Sequence, residues 1–160
     1  LMGSAGVDAS IVRHLANARR KRALGVFAFV LEGIRHSLAF EFPRLTVVAD
    51  SREVEGYLAV VGKSPGYGGW FSLTPRADPG QPGFQVAVCT SAFRLKYFYF
   101  LGLALAGALE RSRDFVYLEA SRVRISSDRP VYVQIDGEPH DALPMEFVTD
   151  GTSLPFVVPR

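Results

Sequence analysis

The chain has 160 residues, of which 48% are hydrophobic and 21% are charged, and this suits one globular domain large enough to bury a core. Its net charge of +2 is too small to indicate a protein that binds nucleic acid. Three histidines far apart in the sequence and a single cysteine give no spacing typical of a zinc site.

The single cysteine, Cys89, lies inside the apolar run Phe84–Thr90 and can form no disulfide within the chain. Unpaired cysteines in apolar surroundings are typical of reducing compartments, so we predict a buried, inert thiol. The start of the chain has no basic region followed by an apolar core, and a secretory signal is therefore not predicted. A cytoplasmic protein is expected. Because Leu1 precedes Met2, the chain is also expected to be a piece of a longer protein.

Two helices are predicted near the start of the chain. Asp8 can cap a helix that runs from Ala9 to about Arg22. The basic cluster at its end, Arg19–Arg22, suits the helix dipole; it is interpreted either as a solvated helix end or as a group attracted to an anionic membrane. A second helix is predicted from apolar residues at helical spacing, namely Phe27, Val30, Leu31, Ile34 and Leu38.

Beyond Pro43 the pattern predicts short strands separated by turns. The loop between Gly62 and Gly83 contains six glycines and four prolines. Many strands with few helices predict a mainly β fold, a two-layer β-sandwich with two N-terminal helices and one inserted helix, in a single domain of residues 1–160. The predicted strands are Arg44–Ser51, Glu55–Val61, Phe84–Thr90, Phe115–Ser126, Pro130–Asp136, Met145–Thr149 and Leu154–Val158, with a turn at Asp50–Glu53.

The inserted helix is predicted in the longest uncharged run, Tyr97–Leu109. A membrane-spanning helix needs about 20 residues, so this shorter run is not predicted to span. Its nearly all-round hydrophobicity favours a buried helix. The alternative is a helix on a membrane surface, flanked by the basic residues Arg94, Lys96, Arg111 and Arg113 and supplied with interfacial aromatic rings by Phe93, Tyr97, Phe98, Tyr99 and Phe100.

The segment Val131–Phe147 begins with alternating apolar and polar residues and continues into Asp136-Gly137-Glu138. Asp-Gly between alternating segments predicts a tight hairpin turn, because the turn residues need positive φ. Two carboxylates within three residues are also typical of a base or charge partner in a transfer reaction. The structural and the chemical interpretation are compatible.

Three segments occur in order along the chain: SAGVDAS at Ser4–Ser10, VVGKSPGYGGWFSLTPRADP at Val60–Pro79, and VQIDGEP followed by LPMEF and FVVP. Together they resemble the C-terminal domain of the diacylglycerol-kinase-like lipid kinases, a family that includes sphingosine and ceramide kinases and shares a superfamily with NAD kinases. The resemblance implies the C-terminal, lipid-binding half of a two-domain kinase whose N-terminal domain binds nucleotide on a GGDGT loop. No GGDGT occurs here, so the chain alone is predicted to be inactive.

The same resemblance implies catalytic residues and partners. Glu138 matches a glutamate near the lipid hydroxyl and is a candidate general base, and Asp136 matches a neighbouring aspartate directed towards the nucleotide or the metal. ATP and Mg²⁺ are the implied cofactors of the full-length protein. A lipid substrate and an N-terminal nucleotide-binding domain are the implied partners. A homodimer and peripheral contact with the inner membrane surface are further expectations.

Four other residues are implied at the cleft between the two domains. Gly68 and Gly69 match a glycine pair that lets the backbone approach this cleft, and Lys63 stands where the family commonly has asparagine. Asp8 matches an aspartate in a GxDA motif, although a helix N-cap explains this residue equally well.

The chain departs from the family pattern after Pro79. Gln81 and Gln85 stand at or near positions where the family has acidic residues, one of which can hold a structural Mg²⁺. Because hard cations prefer carboxylates, we predict that the accessory metal site is weak or absent in this chain. Three functions are therefore considered: a lipid kinase, a lipid-binding homologue without kinase activity, and a kinase of a soluble substrate. The motifs favour the first.

Overall fold

The computed structural model describes residues 1–17, 33–66 and 72–150, and within these ranges it contains ten strands, all paired in antiparallel fashion. The strands are β1 (Met2–Gly6), β2 (Leu45–Ala49), β3 (Arg52–Gly56), β4 (Leu58–Gly62), β5 (Phe84–Cys89), β6 (Phe115–Ala120), β7 (Arg122–Ser127), β8 (Tyr132–Ile135), β9 (Glu138–Ala142) and β10 (Met145–Val148). The predicted strand Leu154–Val158 lies outside the described residues.

The strands form two sheets that pack face to face. The larger sheet has the order β6-β5-β4-β1-β8-β9, and the smaller one has the order β10-β7-β2-β3. In β2, Leu45, Val47 and Ala49 are buried while the residues between them are half-buried, as expected when alternate side chains face the core. The shared core is formed by Ala5, Leu45, Val47, Ala49, Ala59, Val61, Val86, Val88, Leu118, Ala120, Val123, Ile125, Val131 and Val133. The predicted two-layer sandwich is confirmed.

A helical layer covers the other face of the larger sheet. Helix α1 (Val7–Asn17) contacts β1, β8 and β9, and helix α2 (residues 33–39) lies against α1. Strands β4 and β5 are buried on both faces, which explains why they read as continuous apolar runs. The two N-terminal helices and the inserted one are confirmed, although residues 18–32, where the first was predicted to end and the second to begin, lie outside the described part.

The inserted helix, α3, spans Lys96–Leu105 and is followed by a 3₁₀ turn at Leu109–Arg111. Phe100 and Ala104 are buried against the larger sheet. The prediction that the whole helix is buried is wrong, because its opposite face is exposed. Among the described residues, no helix has both the length and the apolar character that crossing a membrane requires.

Strand β1 was not predicted, and yet it lies inside the larger sheet between β4 and β8. Its sequence MGSAG has low strand propensity, so the local pattern gave no signal. The small residues have a packing reason, because a Cβ atom at Gly3 would collide with the ring of Phe147 from the smaller sheet. Tertiary packing therefore overrides propensity at this position.

Two predicted strands were wrong in extent. The strand predicted at residues 115–126 is β6 and β7, which span residues 115–127 with a break at Ser121. There the carboxylate of Asp50 accepts hydrogen bonds from the backbone N–H groups of Ser121 (3.2 Å) and Arg122 (2.9 Å). Residues 52–62 form β3 and β4 with a break at Tyr57. The turn predicted at residues 50–53 is shorter, and β3 already begins at Arg52.

The prediction of a buried Cys89 is confirmed, since its side chain is fully enclosed on β5. Burial raises the pKa of the Cys89 thiol above its usual range, which lowers the fraction of reactive thiolate. We therefore expect Ellman's reagent to react with the native chain at least about tenfold more slowly than with the chain unfolded in guanidinium chloride. Equal rates in the two states would show that the thiol is accessible.

Candidate functional site

Two parts of the predicted site meet the start of β1 at one end of the larger sheet. Because β1 is antiparallel to both β4 and β8, its first residues lie beside the last residues of those two strands. The backbone N–H of Asp136 donates to the carbonyl of Met2 (2.8 Å), and that of Lys63 donates to the carbonyl of Leu1 (2.9 Å). The candidate cleft residue Lys63 and the acidic turn thus lie on either side of the start of β1.

The acidic turn is the predicted hairpin. Asp136 and Gly137 have φ values of 50° and 83°, both in the left-handed region that a two-residue primed turn requires. Glu138 then opens β9, opposite Ile135. The hairpin prediction is confirmed, and the turn projects both carboxylates from the end of the sheet.

The two carboxylates of this turn differ in their surroundings. Asp136 is half-exposed and accepts a hydrogen bond from the backbone N–H of Met2 at 2.7 Å, which fixes one of its oxygens. Glu138 is exposed, and no described residue forms a hydrogen bond or ion pair with its carboxylate. Glu138 is therefore free to accept a proton or to bind a ligand, while Asp136 is held in place.

A buried polar network lies directly behind the turn. The side chain of Gln134 is fully buried and accepts a hydrogen bond from the N–H of Gly137 through its Oε1 atom (2.7 Å). Its Nε2 atom donates to Ser4 Oγ (2.9 Å) and to Asp8 Oδ2 (3.3 Å). Ser4, also fully buried, donates to Asp8. The network joins β1, α1 and β8, and it fixes the conformation of the acidic turn from inside the fold.

The position of Asp8 shows that its predicted role as a helix N-cap was wrong, but it does not test its predicted role at the cleft. Helix α1 begins at Val7, so Asp8 lies within its first turn and not at an N-cap before Ala9. An acidic residue there is favourable for the helix dipole. The proposed link between Asp8 and the site stays a prediction. The network nevertheless connects its carboxylate to Gly137 through one intervening side chain, that of Gln134.

Ser4 and Gln134 were missed as site residues. In the alternating pattern of residues 131–136, Gln134 is one of the polar residues, for which solvent exposure is the ordinary expectation. Their one signal in the sequence was membership of the segments SAGVDAS and VQIDGEP, since Ser4 and Gln134 each lie a few residues from an acidic site candidate.

Lys63 closes the glycine- and proline-rich loop. Its Nζ atom donates to the carbonyl of Gly83 (2.9 Å) and to that of Gln81, so the ammonium group ties the two ends of the loop together at this end of the sheet. Gly68 and Gly69, which belong to the same loop, lie outside the described residues, and their predicted role at the cleft is not tested.

The two glutamines at the predicted accessory metal position have different surroundings. Gln85 is buried and its Oε1 atom accepts a hydrogen bond from the N–H of Arg76 (2.8 Å), while Gln81 is exposed. Within residues 1–17, 33–66 and 72–150, no group of three or more His, Cys, Asp or Glu side chains is arranged to hold a metal ion. The loss of the accessory site stays a prediction.

A mainly apolar cleft of about 430 Å³ lies beside α2 and the start of β8. At one side Ser10 Oγ lies 2.7 Å from His36 Nε2, and the ring of His36 stacks on that of His14 with centroids 4.7 Å apart. At the other side the guanidinium of Arg13 lies 3.8 Å from the ring centroid of Tyr132. Strand β8 runs from this cleft to the acidic turn, a distance of roughly 13 Å at 3.3 Å per residue.

Comparisons with known proteins agree with this architecture. A curated relative, the diacylglycerol kinase of Bacillus subtilis (strain 168), is 23% identical over 145 residues, which cover 89% of this chain and 48% of the relative. A crystal structure of a diacylglycerol kinase from Bacillus anthracis str. Sterne superimposes with a TM-score of 0.62 at 20% identity, covering 91% of this chain and 47% of the other. A second structure from that organism gives a TM-score of 0.63 at 21% identity.

The chain thus spans about half the length of the relatives that it matches. The model of one family, described as the YegS C-terminal NAD kinase beta sandwich-like domain, matches residues 2–159, nearly the whole sequence. The resemblance to the C-terminal domain of the lipid kinases is confirmed, and the chain belongs to the YegS C-terminal NAD kinase beta sandwich-like domain family.

Proposed function

We propose that this chain is the substrate-binding half of an ATP-dependent lipid kinase that phosphorylates a lipid hydroxyl such as that of diacylglycerol. The single observation that favours it is the acidic turn, where an exposed Glu138 is presented by a backbone fixed through Gln134, Ser4 and Asp8. Family membership and the name of the Bacillus subtilis relative support the reaction class.

The residues of this chain would act mainly by positioning. Glu138 would accept the proton of the lipid hydroxyl as it attacks, since its carboxylate has no partner among the described residues that competes for the proton. The hydrogen bond that the N–H of Gly137 donates to Gln134 Oε1 restrains the turn, and this helps to hold the base in position relative to the acceptor. The apolar cleft beside Tyr132 provides a surface for part of an acyl chain.

The nucleotide and the metal ion are proposed to bind to the full-length protein. ATP with Mg²⁺ would supply the phosphoryl group and neutralise its charge. At the turn, Asp136 is the acidic residue that a hydrogen bond holds in place. Its carboxylate is a hard oxygen donor of the kind that Mg²⁺ prefers. An N-terminal nucleotide-binding domain would meet this chain at the end of the larger sheet that bears Asp136 and Lys63.

The proposal is tested by asking what the full-length protein phosphorylates. The protein is incubated with Mg²⁺ and γ-³²P-ATP and with either a total lipid extract or a set of water-soluble acceptors that includes NAD. We expect label in the lipid fraction, at the position of phosphatidic acid or a related lipid phosphate. Label in NAD alone would support a kinase of a soluble substrate. No label with a folded protein would support a lipid-binding homologue without kinase activity.

A further inference from the structure

Helix α3 has two apolar faces, and the described residues cover only one of them. Phe100 and Ala104 pack on the larger sheet, while large apolar side chains on the opposite side have relative exposures between 36% and 59%. Leu95, Phe98, Leu101 and Leu105 follow one another at helical spacing along this side. We call the exposed set the α3 ridge; its members are Phe93, Leu95, Phe98, Tyr99, Leu101 and Leu105.

A helix side that faces only water normally carries charged residues, and the run Tyr97–Leu109 contains none. Contiguous exposed apolar surface of this kind marks a contact site. The ridge therefore requires a partner with an apolar surface, and the charges around it indicate which partner that is.

The charges around the α3 ridge are predominantly positive. Within residues 93–114 the two acidic side chains are each paired with a basic residue of this chain: Asp114 with Lys96 and Glu110 with Arg76, each at 2.9 Å. Beyond the C-terminal end of α3, Arg111 and Arg113 are exposed, with no ion-pair partner within the part of the chain that the structure describes. At the other end, Arg94 is exposed and donates only to the carbonyl of Leu38, so its charge is retained.

An anionic lipid bilayer complements this arrangement. Its headgroups attract basic residues by about 1 kcal/mol each, its acyl region accepts leucine side chains, and phenylalanine and tyrosine rings favour the interface. A second copy of this chain would supply the same positive charges and would repel them. We propose that the α3 ridge inserts into the surface of an anionic membrane, with the arginines at both ends of the helix contacting lipid phosphates.

This inference concerns how the chain reaches a membrane, and it does not require phosphoryl transfer. The test is therefore made without nucleotide. Full-length protein is sedimented with vesicles of phosphatidylglycerol and phosphatidylcholine, or of phosphatidylcholine alone, at low and high salt. We expect at least about tenfold tighter binding to the anionic vesicles, and we expect this preference to fall as salt screens the charges.

Three variants assign the binding to the ridge. Phe98→Ser/Leu101→Ser removes apolar contact, and Arg111→Gln/Arg113→Gln removes charge; each is expected to weaken binding to the anionic vesicles about tenfold or more. Val148→Ser, which changes an exposed apolar residue on β10 of the other sheet, should bind like the wild type. The melting temperature of each variant verifies that it is folded.

Two outcomes would overturn the proposal. One is that the wild type does not sediment with anionic vesicles at low salt. The other is that a folded Phe98→Ser/Leu101→Ser variant binds as tightly as the wild type. If the first outcome is accompanied by self-association in light scattering that the same variant loses, the ridge is assigned to a protein interface.

Discussion

Replacing Glu138 with alanine should reduce the turnover of the full-length kinase about 100-fold or more, which is the usual contribution of a positioned general base. The effect should fall on catalysis and not on folding. The Glu138 side chain is exposed and has no partner among the described residues, so the melting temperature should change by no more than a degree or two. Initial rates of lipid phosphorylation and thermal unfolding measured on the same preparations separate the two effects.

Asp141→Ala is the matched control, because Asp141 is an exposed acidic residue three positions along the same strand, β9. It should retain turnover within about twofold of the wild type. Equal losses in the two variants would indicate that the kinase requires only negative charge on this hairpin. A Glu138→Ala variant with wild-type turnover would remove the role that we assign to Glu138.

Replacing Gln134 with leucine should cause the largest loss of stability. The substitution leaves three polar groups without their buried partner: Ser4 Oγ, the Asp8 carboxylate and the N–H of Gly137. One of the three lost hydrogen bonds is buried and two are partly buried, and together their loss costs about 2–4 kcal/mol. For a domain of this size that corresponds to a fall in melting temperature of about 4–16 °C, measurable by circular dichroism.

Gln81→Leu is the control for this variant, because Gln81 is exposed and contributes its backbone, not its side chain, to the hydrogen bonds around Lys63. Its melting temperature should stay close to that of the wild type. A double variant of Ser4→Ala and Gln134→Leu should lose less stability than the sum of the single variants, since both remove the same hydrogen bond. If the stability loss of the double variant equalled the sum of the two single losses, Ser4 and Gln134 would not belong to one connected network.

Much of the fold follows from local patterns in the sequence. The pattern beyond Pro43 predicted a strand at Arg44–Ser51, where the structure has β2. Asp136-Gly137 predicted a turn with positive φ, and the structure confirms it with values of 50° and 83°. Both signals depend on neighbours in the chain. Strand β1 has no such signal. Glycine is needed at position 3 because the ring of Phe147, 144 positions later in the chain, leaves no room for a side chain there. Long-range packing of this kind cannot be derived from one sequence.

The same distinction between local and long-range signals applies to the candidate site. A short motif gave Glu138 and Asp136 as candidates, and the turn predicted at this position is present in the structure. Gln134 was missed because its partner Ser4 is 130 residues away, and only the fold shows that a polar residue at this position is buried. For α3 the sequence left two interpretations open, a buried helix and a helix on a membrane surface, because the sequence does not show which side the sheet covers.

The central claim, that the end of the larger sheet bearing Glu138 receives the lipid, is tested most directly by photocrosslinking. Full-length protein is irradiated with a diacylglycerol that carries a diazirine near its free hydroxyl, and the modified peptides are mapped by mass spectrometry. We predict labelling within β8, β9 and their turn, residues 132–142, that unlabelled diacylglycerol suppresses. Suppressible labelling confined to the smaller sheet, or no labelling at all, would contradict this account.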